Sequence, residues 1–293
     1  MSFQWTTTFL HAEHDVDHDQ FEPGIPDDGQ ARRHVLDFLL MDWNVSALYG
    51  FHRRFGVELS VPIRINVARA AFEDAGGTEL PGFRSIHHRE ETLFGIGDVS
   101  AGVRVGVVRP TGPRGWYLDL RAGVSFPTGG TEHNPFELGR QGKDHQHIFF
   151  GTGTFVPVLG FETSYAFQRF QLIGWGTAQL SLYSNSRDYR ASTRINAGVG
   201  AQSGFGLKTW RFLLQPEVFH ETPAKWGNED ARNSGRTDLI ITGGAFFRPT
   251  PSWQLFAMVK VPVYRHTVGG QLNLPVVGLL GFNFVVDVLG HGH

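Results

Sequence analysis

Two sets of residues in this chain have the types and spacing to do chemistry. The first is a series of ionisable side chains at alternate positions of long amphipathic stretches. It comprises Asp42, Glu58, Arg64, Asp98, Arg104, Asp119, Arg121, Glu162, Arg194, Glu217, Asp238 and Lys260, with Asn44 and Gln215 among them. Acids and bases are mixed and nearly balanced. One reading is that they pair with one another and stiffen an interior, because charges in a confined space persist when partnered. The sharper reading is that they line a selective path for a small polar solute. The pairing reading carries more weight for any single residue.

The second set is the histidines, of which there are 14. The segment His11-Ala12-Glu13-His14-Asp15-Val16-Asp17-His18-Asp19 mixes imidazole and carboxylate, sensible ligands for zinc, copper or nickel. His145-Gln146-His147 puts two imidazoles on one face of a strand, two positions apart. A divalent-metal or pH-responsive site would draw on His11, His14, His18, His145 and His147. The plainer reading is that water-exposed loops tolerate His, and no His-Glu-x-x-His or other compact ligand motif occurs.

Other chemistries are disfavoured. There is no Cys, which removes thiolate nucleophiles, disulfide scaffolds and Cys-bearing zinc sites. A formal charge of −2 provides no basic field for nucleic acid. Gly95-Ile96-Gly97 and Gly198-Val199-Gly200 lie inside alternating stretches and do not open a helix, so a dinucleotide site is not expected; no P-loop occurs. Lipid hydrolases built on barrels resemble one another in carrying His-x-Ser, and no His here has Ser two places later. No catalytic residue is proposed and no resident cofactor is required.

The elements that must hold these residues are strands. Period-two alternation runs the length of the chain. From Trp116 to Phe126 the even positions are Trp, Leu, Leu, Ala, Val and Phe, while the odd ones are Tyr, Asp, Arg, Gly and Ser. About twelve strands are expected, near 2–12, 34–51, 55–67, 93–109, 115–126, 146–167, 170–183, 190–207, 210–220, 237–248, 253–265 and 271–286. Nearly all reach the roughly 9–11 residues that cross a bilayer at a steep tilt, whereas strands of soluble sandwiches average about five or six. No stretch is long and apolar enough for a spanning helix, and helical periodicity is almost absent.

Connections alternate short and long: short at 52–54, 109–114, 168–169, 208–209 and 249–252, longer at 13–33, 68–92, 127–145, 184–189, 221–236 and 266–270. Trp116, Trp210 and Trp253 open strands after short turns, with Tyr49, Phe51, Phe55, Tyr165, Phe167 and Phe170 at the same level. That is the aromatic belt of one membrane interface. The expected fold is therefore all-β: one domain over 1–293, an up-and-down antiparallel transmembrane barrel with short periplasmic turns and longer outward loops. Twelve strands about 4.8 Å apart and tilted about 40° give a backbone radius near 12 Å, and a lumen on the order of 12 Å before loops fold in. The His residues then cluster at the outer mouth. A leader is not visible at the start, so the chain reads as a mature form with an initiator Met, in the bacterial outer membrane.

One stretch adds a resemblance. Gly95-Ile96-Gly97-Asp98 entering a strand, followed one hairpin later by Phe126-Pro127-Thr128-Gly129-Gly130, resembles the outer-membrane proteins named for the meta pathway of phenol degradation. The resemblance implies a transporter or channel and leaves the solute open, with phenolic compounds suggested by the family's name alone. Gly281-Phe282-Asn283-Phe284-Val285-Val286 is similar to the terminal strand read by barrel-assembly machinery, here followed by Asp287 to His293. The expected function is passage of small polar or aromatic solutes through a narrow, mixed-charge lumen surrounded by outer-membrane lipid. The alternative is a barrel plugged by its long loops, serving as a surface for binding, adhesion or complex formation.

Overall fold

In the computed structural model the described residues are 1–15, 33–80, 90–112, 114–143, 145, 148–203, 209–231, 234–268 and 275–285, with the side chains of 12–15, 33 and 34 left aside. The strands are β1 (Ser2–Asp15), β2 (Arg33–His52), β3 (Phe55–Glu73), β4 (Glu91–Ile96), β5 (Ser100–Val108), β6 (Gly115–Ser125), β7 (Val156–Ala166), β8 (Phe170–Gln179), β9 (Tyr189–Arg190), β10 (Arg194–Ser203), β11 (Trp210–Glu221), β12 (Lys225–Trp226), β13 (Glu229–Asp230), β14 (Arg236–Phe247), β15 (Trp253–Thr267) and β16 (Val277–Phe284). A helix α1 (Pro135–Arg140) lies between β6 and β7.

Backbone pairing explains the closure. Neighbouring strands of the main sheet hydrogen-bond antiparallel, β3 taking both β4 and β5, and the pairs β1–β16 and β2–β3 close the ring. Among the described residues of this sheet β4 alone pairs on one side only, so the ring has the closure that a sheet surrounded by hydrocarbon requires. Counting β4 and β5 as one stave gives the twelve-stranded antiparallel barrel that the alternation predicts. Short turns gather at one end, where the Met1 amine donates to the Phe284 carbonyl at 2.8 Å and Val285 N–H to Ser252 O at 2.9 Å. Gly115 leaves the turn before β6 at φ 125°, a conformation that favours glycine.

The two faces sort as the sequence alternates. Along β11, Trp210, Phe212, Leu214 and Val218 are exposed on the outside, while Leu213, Gln215 and Glu217 are buried on the inside. The same apolar outer band recurs on β3, β6, β7 and β15. Its lower rim is aromatic: Trp116 meets Tyr165 edge-on at 6.5 Å, and Trp210 packs on Phe247 at 4.8 Å. Trp253 packs on Phe284 at 4.6 Å.

Several boundaries differ from those the pattern predicts. The strand expected at 93–109 is broken: Ile96 faces Ile63 and Ser100 faces Ser60, so residues 97–99 oppose only 61–62 in a bulge. The strand expected from 146 starts at Val156, because 148–155 spends its backbone groups on loop contacts and not on the sheet. Residues 189–190 belong to a small separate sheet, β13-β12-β9, so β10 starts at Arg194. β2 and β3 run on together to the pair Arg33–Glu73, well past the expected end at 67. Alternation ignores α1, yet its start is locally encoded: Asn134 Oδ1 accepts from Phe136 and Glu137 N–H at 3.1 and 3.3 Å, and Pro135 follows it.

The lipid-facing assignment is tested by Leu120→Arg. It places a charge two pleat repeats above the Trp116 belt and should cost roughly 2–4 kcal/mol of folding stability in vesicles. Tyr117→Arg, on the inward face, should cost far less. Urea unfolding of both variants, followed by Trp emission, checks the difference.

Candidate functional site in the lumen

The inward face of β3, β5, β6 and β7 carries a checkerboard of charge. Register places Gly56, Arg104, Arg121 and Gly160 in one row across these four strands. The next row towards the short turns holds Gly106, Asp119 and Glu162 on β5, β6 and β7. Like charges therefore stand directly opposite each other, an arrangement that repels unless a counter-charge intervenes. The counter-charges come from the adjacent row. Arg104 Nη2 donates to Asp119 Oδ2 at 2.8 Å and to Glu162 Oε2 at 2.5 Å. Arg121 donates to the other Glu162 oxygen and lies 3.8 Å from Glu58. Arg109 closes the run on Asp119. The result is an unbroken series Glu58–Arg121–Glu162–Arg104–Asp119–Arg109, three acids alternating with three guanidiniums.

Glycines make the series possible. The Arg109 guanidinium lies where a Cβ on Gly106 would stand, and Gly160 sits opposite Arg121, where a Cβ would meet Gly176 O at 3.2 Å, Thr177 Cγ2 at 3.6 Å and the Arg121 Cβ at 3.7 Å. One strand over, Arg64 Nε meets Asp42 Oδ1 at 2.9 Å, and Ser60 donates to Asn44 at 2.6 Å.

The opposite wall, on β10, β11, β14 and β15, is also charged, and its acids are buried. Lys260 Nζ reaches Glu217 Oε1 at 2.5 Å, and Gln215 Nε2 donates to Glu217 Oε2 at 3.2 Å. Arg194 Nε meets Glu221 Oε2 at 2.7 Å. Arg236 lies 3.3 Å from Asp238 and stacks over Phe219 with its guanidinium carbon 5.0 Å from the ring centroid. The Glu217 and Asp238 side chains are 1% and 0% exposed, whereas Arg121, Glu162 and Asp42 are 29%, 42% and 51% exposed. The difference lies in the acids: Glu217, Asp238 and Glu221 are sealed, whereas Glu58 and Glu162 keep contact with solvent, and the bases on both walls are part-covered.

Asp98 stands apart from both networks. It sits in the bulge between β4 and β5, and its carboxylate accepts from Gly129 N–H at 3.0 Å, Thr152 N–H at 2.8 Å and Thr152 Oγ1 at 2.8 Å. Thr128 Oγ1 donates to Gly97 O at 3.0 Å and accepts from Val99 N–H at 2.8 Å. The two halves of the motif at 95–98 and 126–130 thus meet in space. Beside them the Phe150 ring lies on inward-facing Gly95, and Arg64 Nη1 reaches Phe150 O at 3.4 Å. The stretches 126–130 and 150–152 accordingly leave the rim and fold inward against the β3–β5 wall.

This fold-in continues into neighbouring loops. Arg187 Nη1 donates to Thr131 O at 2.6 Å and Asn185 Nδ2 to Thr152 O at 3.1 Å. Phe149, Tyr189 and Trp226 pack with centroids 4.8–6.1 Å apart. Burial pushes the Tyr189 phenol above its ordinary pKa, with Arg194 pulling it down and Glu221 raising it. Asp188 takes φ 60° at this turn, where Asn185 Oδ1 accepts from Arg187 and Tyr189 N–H at 2.8 and 3.2 Å.

The structure separates the histidines it describes. His11 is on the outside of the barrel, where its Nδ1 meets Asp37 Oδ1 at 2.7 Å. His145 is buried in the 126–155 segment, its Nδ1 2.8 Å from Lys143 O. The His14 side chain, His18 and His147 lie outside the described residues. No group of three or more potential metal ligands assembles among the described residues.

Three participants escape the sequence reading. Arg109 was assigned to a turn, and Glu221 and Arg236 to a loop. The signal for the last two is weak, since each strand simply runs one residue further than its alternation suggests. For Arg109 the usable signal is a glycine, Gly106, opposite a carboxylate that needs a partner.

Closed pairing, an apolar outer face, an aromatic rim and a charged interior define a twelve-stranded outer-membrane β-barrel. The fold is also that of the COG4313 outer membrane channel from Pseudomonas putida F1, at TM-score 0.57 and 9% identity over 97% of this chain and 95% of that one. The NanC porin gives TM-score 0.47 at 9% identity, covering 98% of this chain and all of its own. LpxR from Salmonella typhimurium gives TM-score 0.37 at 10% identity, over 97% of this chain and 100% of its own. No family model matches the chain, and no curated protein matches it.

The Lys260–Glu217 pair on the opposite wall yields a stability prediction. Lys260→Met leaves the Glu217 carboxylate buried with only Gln215, and should cost about 3–5 kcal/mol. Adding Glu217→Gln should recover most of that loss. A double-mutant cycle by urea unfolding in vesicles measures the coupling.

Proposed function

We propose that this protein is an outer-membrane channel that passes small polar solutes along the Glu58–Arg109 charge series. The observation that carries this reading is the contrast between the two walls. The series on β3–β7 keeps the carboxylates of Glu58 and Glu162 open to solvent, while the carboxylates opposite, Glu217, Asp238 and Glu221, are buried. A path lined by alternating guanidinium and carboxylate offers hydrogen-bond donors and acceptors of both signs and little apolar surface. It suits a hydrated or zwitterionic solute better than an apolar one. The resemblance of 95–98 and 126–130 to the family named for the meta pathway supports the same reading, and with it a place for aromatic solutes that also carry polar groups. The mature chain would be inserted from the periplasm by barrel-assembly machinery acting on β16, with the short turns periplasmic. No catalytic role is assigned to any residue.

The specific observation favouring a second reading, a plugged barrel used for surface binding or scaffolding, is the inward course of 126–130 and 150–152. Planar-bilayer conductance of refolded protein separates the two. Steady channels are expected from the wild type, and folded, inserted but silent protein would move the assignment to the plugged scaffold. Replacing Arg104 and Arg121 together with Gln removes two of the three guanidiniums of the series. The cation-to-anion permeability ratio should rise roughly severalfold at low salt, where charges are least screened. A reversal potential equal to wild type would show that current does not pass this wall.

A further inference from the structure

We infer that the stretches 126–130 and 148–155 form the two legs of a strap that sets the width of the pore, and that Asp98 is the latch holding it. The inference rests on the channel reading above and concerns a residue whose alternation alone would place it among the path-lining charges. Asp98 differs from Glu58, Asp119 and Glu162 on the same wall: its hydrogen bonds go to the loop and not to a basic side chain. Both carboxylate oxygens are used, one on Gly129 N–H and the other on the N–H and hydroxyl of Thr152. These two residues lie near the start and the end of the inward excursion, so one side chain gathers both legs of the strap.

The wall is shaped to receive it. The bulge at 97–99 interrupts the pairing with β3, which lets Asp98 and the Gly97 carbonyl face the strap. A Cβ on Gly95 would meet the Phe150 ring at 2.6 Å, and one on Gly97 would meet Pro62 Cγ at 2.9 Å and Phe150 O at 3.2 Å, so the strap packs closely on this stretch. Gly129 and Gly151 meet backbone to backbone, with Gly151 N–H donating to Gly130 O at 2.8 Å. The strap also touches the ionic wall, because the Arg64 that pairs with Asp42 reaches the Phe150 carbonyl. Hydrogen bonds from N–H groups to a carboxylate are roughly twice as strong as neutral ones, and here three converge on one group. A single acidic side chain therefore holds a segment that narrows the lumen.

The test uses the full-length protein and two readouts. Asp98→Ala should speed amide exchange in peptides from 126–155 at least tenfold, with β6 and β7 unchanged. The same variant should raise single-channel conductance or open probability severalfold, and Asp98→Asn, which keeps an acceptor, should fall between it and wild type. The absence of Cys allows a reversible control. The double variant Asp98→Cys with Thr152→Cys should conduct no better than wild type when oxidised, and like Asp98→Ala when reduced. Unchanged exchange in Asp98→Ala would remove Asp98 as the latch. Faster exchange without any change in current would show that the strap does not limit the pore. A silent wild type beside a conducting Asp98→Ala would support the latch as a full closure. Silence in every variant, including one lacking residues 131–149, would instead bring down the channel reading itself.

Discussion

Backbone hydrogen bonding in a medium without water is the constraint on which everything else here depends. Each strand N–H and C=O within the hydrocarbon band must find a partner in the sheet, and an unpaired edge would cost several kcal/mol per group. The β1–β16 ladder removes that edge, and with it fixes the stave number, the strand tilt and hence the width of the interior. Side chains then divide by parity alone. Apolar residues on one parity meet lipid, and whatever occupies the other parity is forced into a confined space in which charge must be neutralised.

The interior solves that problem differently on its two sides. On β3–β7 the strand register sets Arg against Arg and acid against acid, so neutralisation runs between rows and each group spans two partners. Gly106 leaves the Arg109 guanidinium room to lie along the wall. On β10–β15 the pairs are more isolated and their acids are buried. A buried carboxylate fixes local geometry at a desolvation cost, while the series on the other wall leaves part of its charge in contact with solvent.

The long-loop end follows from an interruption in the barrel. A bulge gives up ladder bonds at 97–99, and the chain recovers them through Asp98 and Thr128 with the segment that returns between β6 and β7. That exchange explains why glycine, Asp and Thr-Gly recur where they do in 95–98 and 126–130. It also draws the neighbouring loops inward through Asn185 and Arg187.

The amino-acid sequence by itself determined the class of fold, the number of staves, the parity of nearly every strand and the belt of Trp and Tyr at the short-turn rim. These are properties of period two and of local turn chemistry, which any stretch such as Trp116–Phe126 displays without reference to another. It also named most of the interior charges. Pairing was not legible, because a partner depends on register between strands: Glu162 serves Arg104 and Arg121 only because β6 and β7 align Asp119 with Glu162. Nor was the role of Asp98, whose alternation matches that of its path-lining neighbours, while a three-against-two bulge turns it to the strap. The separation of His11 from His145 has the same origin, since parity and chain folding put one outside the wall and the other within it. Local sequence fixes which face a side chain takes; only the closed tertiary structure decides what it meets there.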